Sequence, residues 1–241
     1  MNDGGYLVPN IYSEKNTPLN IEIGMISQLG NDILVINKIY PNKRGGYFIE
    51  LGAHNGVHLS NTLLLEKKYG WNGICIEPHP KLYEELQKNR NCETSNDLAF
   101  SVEGETVNFS LSDVFSGITD HIDKYDFAKK GEQIVLTTTT LTDILDKHVA
   151  PSYIEYMSLD TEGTELEILR GLDMTKYKIG FMSVEHNFIE PRRTEIRKYL
   201  FSKGYSLYNS VKHDDNFILN NDSRIKKLVW NKILKKFQPI I

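Results

Sequence analysis

Short apolar runs alternate with segments of helical spacing along this chain. Residues 46–51 form an apolar and aromatic run that ends at a glycine, which is typical of a buried strand. Leucines at helical spacing follow within residues 59–67 and stop at Gly70. A second apolar run at residues 73–77 stops at Pro78, and a further helix follows it. This order of strand, helix and strand predicts a βαβ unit with parallel strands.

The rest of the chain continues the alternation. Further strands are predicted at residues 97–100, 106–111, 153–159, 179–184, 205–208 and 216–219. Further helices are predicted at residues 141–147, 165–170 and 192–203. Strands separated by helices favour a doubly wound α/β fold with a mainly parallel sheet and helices on both faces. Ligands bind beyond the carboxyl ends of the strands in such folds, so residues at those ends are the candidates for function.

Pattern and charge divide the chain into three segments. Residues 1–45 are expected to form an N-terminal extension that carries a helical segment at residues 21–40 and packs on the core. Residues 46–222 form the α/β domain. Residues 223–241 form a basic amphipathic tail, with six basic and no acidic residues from Arg224 to the end. Such a tail suits contact with an anionic membrane surface or a partner, but a terminal helix docked on its own domain, or a frayed end, is the favoured interpretation.

Composition restricts the environment and the substrate. The net charge of −4, from 28 basic and 32 acidic residues, disfavours nucleic acid as a partner. Two cysteines cannot form a disulfide framework or a four-cysteine zinc site. The first residues lack the charged and apolar regions of a signal peptide, and no apolar run is long enough to span a bilayer. The sequence therefore predicts a cytoplasmic protein.

Two strand ends carry the features of a nucleotide site. The first strand leads into a loop with Gly52 and Gly56, which allow a tight turn and close approach of a ligand to the peptide groups. His54 and Val57 stand where a dinucleotide-binding loop has glycine, so nicotinamide or flavin binding fits poorly. Glu77 ends the second strand, where it is placed to accept both hydroxyls of a ribose. An ordinary turn and a solvated acid are the alternative interpretation.

Acidic residues cluster at the ends of two later strands. Asp160 ends one predicted strand, and Glu162 and Glu165 follow it closely. Capping of the next helix explains one or two of these acids, but not all three. Glu185 and His186 end the following predicted strand, and parallel geometry brings them beside Asp160. Acids and an imidazole at one edge of a sheet indicate a catalytic or metal-binding site.

These segments together resemble the FkbM family of S-adenosylmethionine-dependent methyltransferases. The blocks that carry the resemblance are residues 27–32, 45–56, 60–62, 70–78, 158–171, 185–187, 204–205 and 214–215. The joint presence of the tryptophan-containing block and the Asp-Thr-Glu-Gly block at residues 160–163 is its most specific part. The resemblance implies a Rossmann-like class I methyltransferase with a seven-stranded sheet. It also implies methyl transfer to a hydroxyl of a sugar, a glycan or a small natural product.

The same resemblance implies where the cofactor, S-adenosylmethionine, binds. The expected cofactor-binding residues are Glu50, Gly52, Ala53, His54, Gly56, Ser60, Glu77, Pro78, Asp97 and Leu98. Glu50 would orient the glycine loop, Ser60 would lie near the carboxylate of the cofactor, and Glu77 would hold the ribose. Asp97 would accept from the adenine amino group, and Leu98 would pack on the ring.

Catalysis requires a group that helps to remove the proton of the acceptor hydroxyl, because a neutral alcohol is a poor nucleophile. Asp160, Glu185 and His186 are the candidates, and two interpretations stay open. Either His186 or a carboxylate removes the proton directly, or Asp160 and Glu185 bind a divalent cation such as magnesium or manganese. Residues 213–215 are expected at the rim of the acceptor pocket.

Two other classes of function are weaker alternatives. A module that binds the cofactor without turnover would predict that the acids after the later strands are missing, whereas Asp160 and Glu185 are present. A methyltransferase acting on nucleic acid would suit a basic body, whereas this chain is acidic outside its tail.

Overall fold

The computed structural model describes residues 27–225, which form two sheets and the helices around them. The strands are β1 (Tyr47–Leu51), β2 (Asn72–Ile76), β3 (Glu93–Ser95), β4 (Leu98–Phe100), β5 (Thr106–Ser110), β6 (Gly117–Ile118), β7 (Gln133–Thr140), β8 (Tyr153–Leu159), β9 (Lys178–Glu185), β10 (Tyr205–Val211) and β11 (Asp214–Leu219). The helices are α1 (Asn31–Leu34), which continues into a π-helical turn (Val35–Ile39), α2 (Leu63–Tyr69), α3 (Pro80–Asn89), α4 (Leu141–Lys147), α5 (Glu165–Arg170) and α6 (Arg192–Ser202). Short 3₁₀ turns lie at Asp113–Phe115, Thr119–His121 and Ala128–Lys130.

The predictions made for the two ends of the chain lie largely outside the described residues. These include the tail from residue 226 onward and the first part of the helix predicted at residues 21–40. Within residues 27–225, no helix combines the length and the apolar composition that crossing a bilayer requires.

Seven strands form one sheet in the order β10-β11-β9-β8-β1-β2-β3. β1 pairs in parallel with β2 and β8, and β3 and β9 continue the parallel arrangement on either side. In this sheet β11 runs antiparallel to β10, because the short turn at residues 212–213 joins the two strands as a hairpin. β11 also runs antiparallel to its other neighbour, β9. The predicted doubly wound α/β fold with a mainly parallel, seven-stranded sheet is confirmed.

Alternate side chains of the strands enter two apolar layers, one on each face of the large sheet. Ile49 and Ile74 pack in a layer with residues of α4, α5 and α6. Phe48 and Phe181 pack in the other layer with residues of α2 and α3 and with Ile36 of the π-helical turn. The described part of the N-terminal extension is thus packed on the sheet.

A smaller sheet has the order β4-β7-β5-β6. The strand predicted at residues 97–100 belongs to this sheet, and β3 is the third strand of the large sheet instead. β7 was not predicted, because much of it is exposed and its last four residues are threonines. The helix predicted from residue 59 begins only at Leu63, since residues 60–62 turn to bind the side chain of Glu50.

The ends of β1 and β8 approach so closely that only glycine fits at position 52. Gly52 has a φ of +72°, and a Cβ there would lie 1.8 Å from the carbonyl oxygen of Asp160. The Gly52 amide donates to the carbonyl of Ile76 (3.1 Å), and the Asp160 amide donates to the carbonyl of Leu51 (3.3 Å). These contacts keep the ends of β1, β2 and β8 together, and with them the residues that follow each strand.

Gly52→Ala should therefore lower the free energy of unfolding by more than about 3 kcal/mol, since the added methyl group meets backbone that cannot rotate away. Gly70→Ala is the matched control, because Gly70 also has a positive φ of +65° but nothing lies within 4 Å of its Cβ position. A loss of only about 1–2 kcal/mol is expected there. Urea unfolding followed by circular dichroism measures both losses. Equal losses for the two variants would contradict the role given to the close approach.

Candidate active site

A cavity of about 310 Å³ opens at the carboxyl ends of the strands of the large sheet, and residues of the small sheet form part of its wall. Glu77, Asp160 and Glu185, which lie at the ends of β2, β8 and β9, all line it. Three strand ends that are distant in the sequence thus meet in one cavity.

Most of the predicted site residues line this cavity. They are Glu50, Gly52, Ala53, His54, Ser60, Glu77, Pro78, Leu98, Asp160 and Glu185. Gly56, Asp97 and His186 do not line it.

Gly56 and Asp97 have structural partners outside the cavity. A Cβ at Gly56 would lie 2.6 Å from Leu86 and 2.7 Å from Arg90, so this glycine lets the loop after β1 pack on α3 and its C-cap. The Asp97 carboxylate accepts hydrogen bonds from Lys147 Nζ (2.8 Å) and Ser95 Oγ (2.6 Å), because the chain turns there from β3 into the small sheet. Neither residue is placed for the cofactor contact predicted from the sequence.

His186 is buried and does not line the cavity, which argues against its predicted role as a base. The side chain is 1% exposed. Its Nδ1 accepts from the amide of Phe188 (2.9 Å), and its Nε2 lies 3.5 Å from the Asp215 carboxylate, which also pairs with Arg193 and Arg197. His186 therefore belongs to a buried network with Asp215 and does not line the cavity.

Glu50 anchors the loop between β1 and α2. Its buried carboxylate accepts hydrogen bonds from Ser60 Oγ (2.8 Å), the Asn61 amide (2.6 Å) and Thr62 Oγ1 (2.6 Å). Arg90, also buried, donates to it from 3.2 Å. A charged pair at this depth persists only when further hydrogen bonds satisfy both groups, as they do here. The loop that lines the cavity is thereby fixed from below.

Glu77 presents its carboxylate at the end of β2. One oxygen accepts from the amide of His54 (2.8 Å), and the other accepts from the amide of His79 (2.9 Å). Burial raises the pKa of Glu77, although the two amide donors oppose this effect. Each oxygen has a second lone pair, so the group is able to accept two further hydrogen bonds from a diol.

Asp160, Glu162 and Glu185 form an acidic cluster, in which carboxylate oxygens of all three lie within 4.8 Å of one another. Burial, together with repulsion from neighbouring acids, raises the pKa of Asp160 to about 6 and that of Glu162 to about 8. Burial also raises the pKa of Glu185. Asn187 donates to Glu185 (2.7 Å) and accepts from Lys124 (3.1 Å). Lys124 and Arg192 both act to lower the pKa of Glu162 but do not offset burial and the neighbouring acids, so the cluster favours protons or a cation.

The turn after β8 brings Glu162 into the cavity. Glu162 and Gly163 both have positive φ, and a Cβ at Gly163 would lie 2.0 Å from the carbonyl oxygen of His121. Glu165 is buried beneath the turn and accepts from the amides of Thr161 (3.0 Å) and Gly163 (3.1 Å). Glu165 therefore shapes the turn, whereas Glu162 belongs to the cluster, a division that helix-capping rules do not predict.

The wall beside Glu185 comes from two segments that are distant in the sequence. Gln28 and His213 both line the cavity, and the Gln28 Oε1 and His213 Nε2 atoms are 3.1 Å apart. Asn31 Nδ2 donates to Asp214 Oδ2 (2.7 Å) one residue further along the hairpin. His213 therefore lies at the cavity as predicted for residues 213–215, whereas Asp214 is buried behind it.

Several cavity residues come from the segment between β5 and β7 and were not predicted. Asp113, Phe115, Lys124 and Tyr125 line the cavity. Asp113 Oδ1 lies 2.8 Å from His54 Nε2 and so connects this segment to the loop after β1. The segment has no periodic pattern of hydrophobic residues. Its aromatic residues are the only feature of the sequence that could have indicated a part of the site.

The fold and the cavity define a class of protein. A glycine loop after the central strand and a buried carboxylate after the next strand, both at the carboxyl edge of a mainly parallel sheet, fit a Rossmann-like, S-adenosylmethionine-dependent methyltransferase. A family model described as the methyltransferase FkbM domain matches residues 50–207, more than half of the chain. The chain belongs to the FkbM family of methyltransferases.

Three solved structures are similar to this chain at low identity. Precorrin-6y C5,15-methyltransferase from Geobacter metallireducens GS-15 is 12% identical with a TM-score of 0.42, and the match covers 83% of this chain and 93% of that one. The human methyltransferase 10 domain containing protein is 12% identical, with a TM-score of 0.42 and coverage of 80% and 79%. A SAM-dependent methyltransferase from Aquifex aeolicus is 10% identical, with a TM-score of 0.39 and coverage of 79% and 88%. A comparison with curated proteins gives no significant match.

The residues of the cavity fit S-adenosylmethionine. Glu77 offers its carboxylate to a ribose diol, and Pro78 and Leu98 provide apolar surface beside it. His54 Nδ1 is buried and has no hydrogen-bond partner among residues 27–225. A buried polar atom without a partner at a cavity indicates a polar ligand that completes its hydrogen bonds.

The acidic cluster should make stability depend on pH. Because the pKa of Glu162 rises from 4.5 to about 8 on folding, the folded protein binds this proton more tightly than the unfolded chain does. The free energy of unfolding should therefore fall as pH rises from about 5 to about 9 in buffer with EDTA, and Glu162→Gln should reduce this fall by at least about 1 kcal/mol.

Urea unfolding at a series of pH values measures this dependence. Glu103→Gln, at an exposed turn, is the control and should follow the wild-type curve. A Glu162→Gln curve that is parallel to the wild-type curve would show that Glu162 does not hold a proton in the folded protein.

Proposed function

We propose that this methyltransferase transfers the methyl group of S-adenosylmethionine to a hydroxyl oxygen of a sugar, a glycan or a small natural product. The observation that carries the proposal is the acidic cluster, which lies in the same cavity as Glu77, the residue proposed to accept the ribose hydroxyls of the cofactor. An alcohol becomes a good nucleophile only as its proton is removed, and carboxylates with raised pKa are suited to receive that proton. The resemblance to the FkbM family supports the same acceptor class.

Residues around the end of β1 would hold the cofactor. Glu77 would accept the ribose hydroxyls, and Pro78 and Leu98 would pack against the adenine ring. Gly52, which has no side chain, leaves backbone open to the rest of the cofactor, and Glu50 keeps the adjoining loop in place. We also propose a cytoplasmic location, which two free cysteines support.

Alignment of the acceptor would account for most of the rate. When bound, S-adenosylmethionine supplies a methyl group on a sulfonium, which moves to the acceptor oxygen by in-line displacement. Asp160 would receive or hold the acceptor proton. Phe115 and Tyr125 line the cavity, and their rings would provide apolar surface for a sugar. Lys124, bonded to Asn187, keeps a positive charge beside the acids.

We further propose that Asp160, Glu162 and Glu185 bind a divalent cation, magnesium or manganese. Asp160 and Glu185 alone provide too few ligands for such an ion, and Glu162 adds a third hard oxygen donor within 4.8 Å. A cation held there would make a neighbouring hydroxyl easier to ionise. Direct removal of the proton by a carboxylate of the cluster is the alternative, and the two differ in their requirement for metal.

Binding and turnover should separate at Glu77 and Asp160. Isothermal calorimetry with S-adenosylhomocysteine should show that Glu77→Gln weakens binding about ten-fold or more, because hydrogen bonds to a charged group are lost. Asp160→Asn should change the affinity by less than about three-fold, yet remove transfer of a labelled methyl group. Methyl glycosides and nucleotide sugars are the acceptor probes, and Glu93→Gln on β3 is the control.

Absence of binding by folded wild-type protein would contradict the methyltransferase proposal. Transfer to bulk tRNA without transfer to any sugar probe would replace the acceptor class by nucleic acid. Loss of binding in Asp160→Asn with normal binding in Glu77→Gln would reverse the two roles.

The metal proposal is tested by titration with Mn²⁺ followed by electron paramagnetic resonance. Wild-type protein should bind Mn²⁺, with Mg²⁺ as a competitor, and Glu162→Gln and Glu185→Gln should each weaken binding about ten-fold or more, since a charged ligand is lost. Glu84→Gln, exposed on α3, is the control. Equal Mn²⁺ binding by wild type and by the Glu162→Gln/Glu185→Gln double variant would leave direct proton removal as the mechanism.

A further inference from the structure

Asn61 lines the cavity, and one of its polar side-chain atoms, Oδ1, takes no part in the hydrogen bonds of the loop. Its main-chain amide donates to Glu50 Oε1 (2.6 Å), and its side-chain Nδ2 donates to Ser158 Oγ (2.8 Å). The remaining polar atom, Oδ1, is buried and has no hydrogen-bond partner among the described residues. A buried acceptor without a donor is unfavourable, so the site is incomplete without a ligand that carries an N–H or O–H group.

The position of Asn61 in the sheet shows which end of the cofactor it would meet. Glu50 of β1 lies opposite Cys75 of β2 on one side and opposite Ser158 of β8 on the other. Asn61 is bonded to Ser158, on the β8 side, whereas Glu77 follows β2. A cofactor held by its ribose at Glu77 and extending across the end of β1 therefore brings its amino-acid part to Asn61. This step rests on the proposed function.

We infer that Asn61 Oδ1 accepts a hydrogen bond from the α-ammonium group of S-adenosylmethionine. The cofactor has few donors, and in the proposed placement the ribose hydroxyls would bind Glu77 and the adenine amino group would lie beyond them, near Pro78 and Leu98, which line the cavity. The sulfonium carries no hydrogen to donate, and the α-carboxylate would repel an amide oxygen. The ammonium group is the donor that remains at the β8 side of the cavity.

Two ligands separate this contact from general effects on the site. S-adenosylhomocysteine has the ammonium group, whereas 5′-methylthioadenosine keeps the adenosine and the sulfur but lacks the amino-acid part. By isothermal calorimetry, Asn61→Leu should weaken S-adenosylhomocysteine about 10- to 100-fold, the loss expected for a hydrogen bond to a charged group. The same variant should bind 5′-methylthioadenosine within about two-fold of wild type, and Glu77→Gln should weaken both ligands.

Ser158→Ala is the matched control, because it removes the partner of Asn61 Nδ2 and leaves Oδ1 in place. If Asn61 only braces β8, this control and Asn61→Leu should weaken the same ligands equally, which would overturn the inference. Equal weakening of both ligands by Asn61→Leu, or no weakening of S-adenosylhomocysteine, would also overturn it.

A measurement on wild-type protein does not depend on whether a variant folds. The analogue of S-adenosylhomocysteine in which hydrogen replaces the amino group should bind about 10- to 100-fold more weakly than the parent. Equal affinity would exclude any contact of the ammonium group. Failure of the wild type to bind both S-adenosylhomocysteine and 5′-methylthioadenosine would instead count against the proposed function, so the two failures are distinguishable.

Discussion

The part of the cavity around the loop after β1 depends on one buried carboxylate, that of Glu50. A charge in the centre of a sheet is unfavourable unless its environment satisfies it. Here Arg90 neutralises the charge, and donors from residues 60–62 complete its hydrogen bonds. Because these donors lie in the loop after β1 and Arg90 follows α3, satisfying one carboxylate also fixes the loop and the helix. The spacing between the glycine turn, Asn61 and Glu77 follows from this arrangement.

The central strands could be predicted because the residues of each strand show by themselves that the strand is buried. β1, β2, β8 and β9 are covered on both faces, so each is a nearly continuous apolar run that ends at glycine, proline or an acid. β3 and β4 have three residues each, too few to show a period, and their assignment to different sheets depends on contacts made elsewhere in the chain. The hairpin orientation of β11 follows from a short turn and not from its own composition.

The positions of the three acids at the cavity could be predicted from the sequence, whereas the position of the His186 imidazole could not, and the reason is geometric. Glu77, Asp160 and Glu185 directly follow or end regular strands, so the alternation of the strand determines where they point. After β9 the chain leaves the extended conformation, because Asn187 and Phe188 both have positive φ. The face of the sheet on which the His186 side chain lies therefore cannot be predicted from the two-residue alternation of a strand. The cavity residues between β5 and β7, such as Asp113, Phe115 and Tyr125, follow no periodic pattern.

The wall that joins Gln28 to His213 is built from the first and last parts of the described chain, outside the segment that the FkbM family model matches. Gly52 and Glu77, for which cofactor contacts are proposed, lie inside that segment. Of the described residues that line the cavity, only Gln28 and His213 lie outside the matched segment. Exchange of these two peripheral stretches would therefore change the wall beside Glu185 and leave the rest of the cavity lining in place.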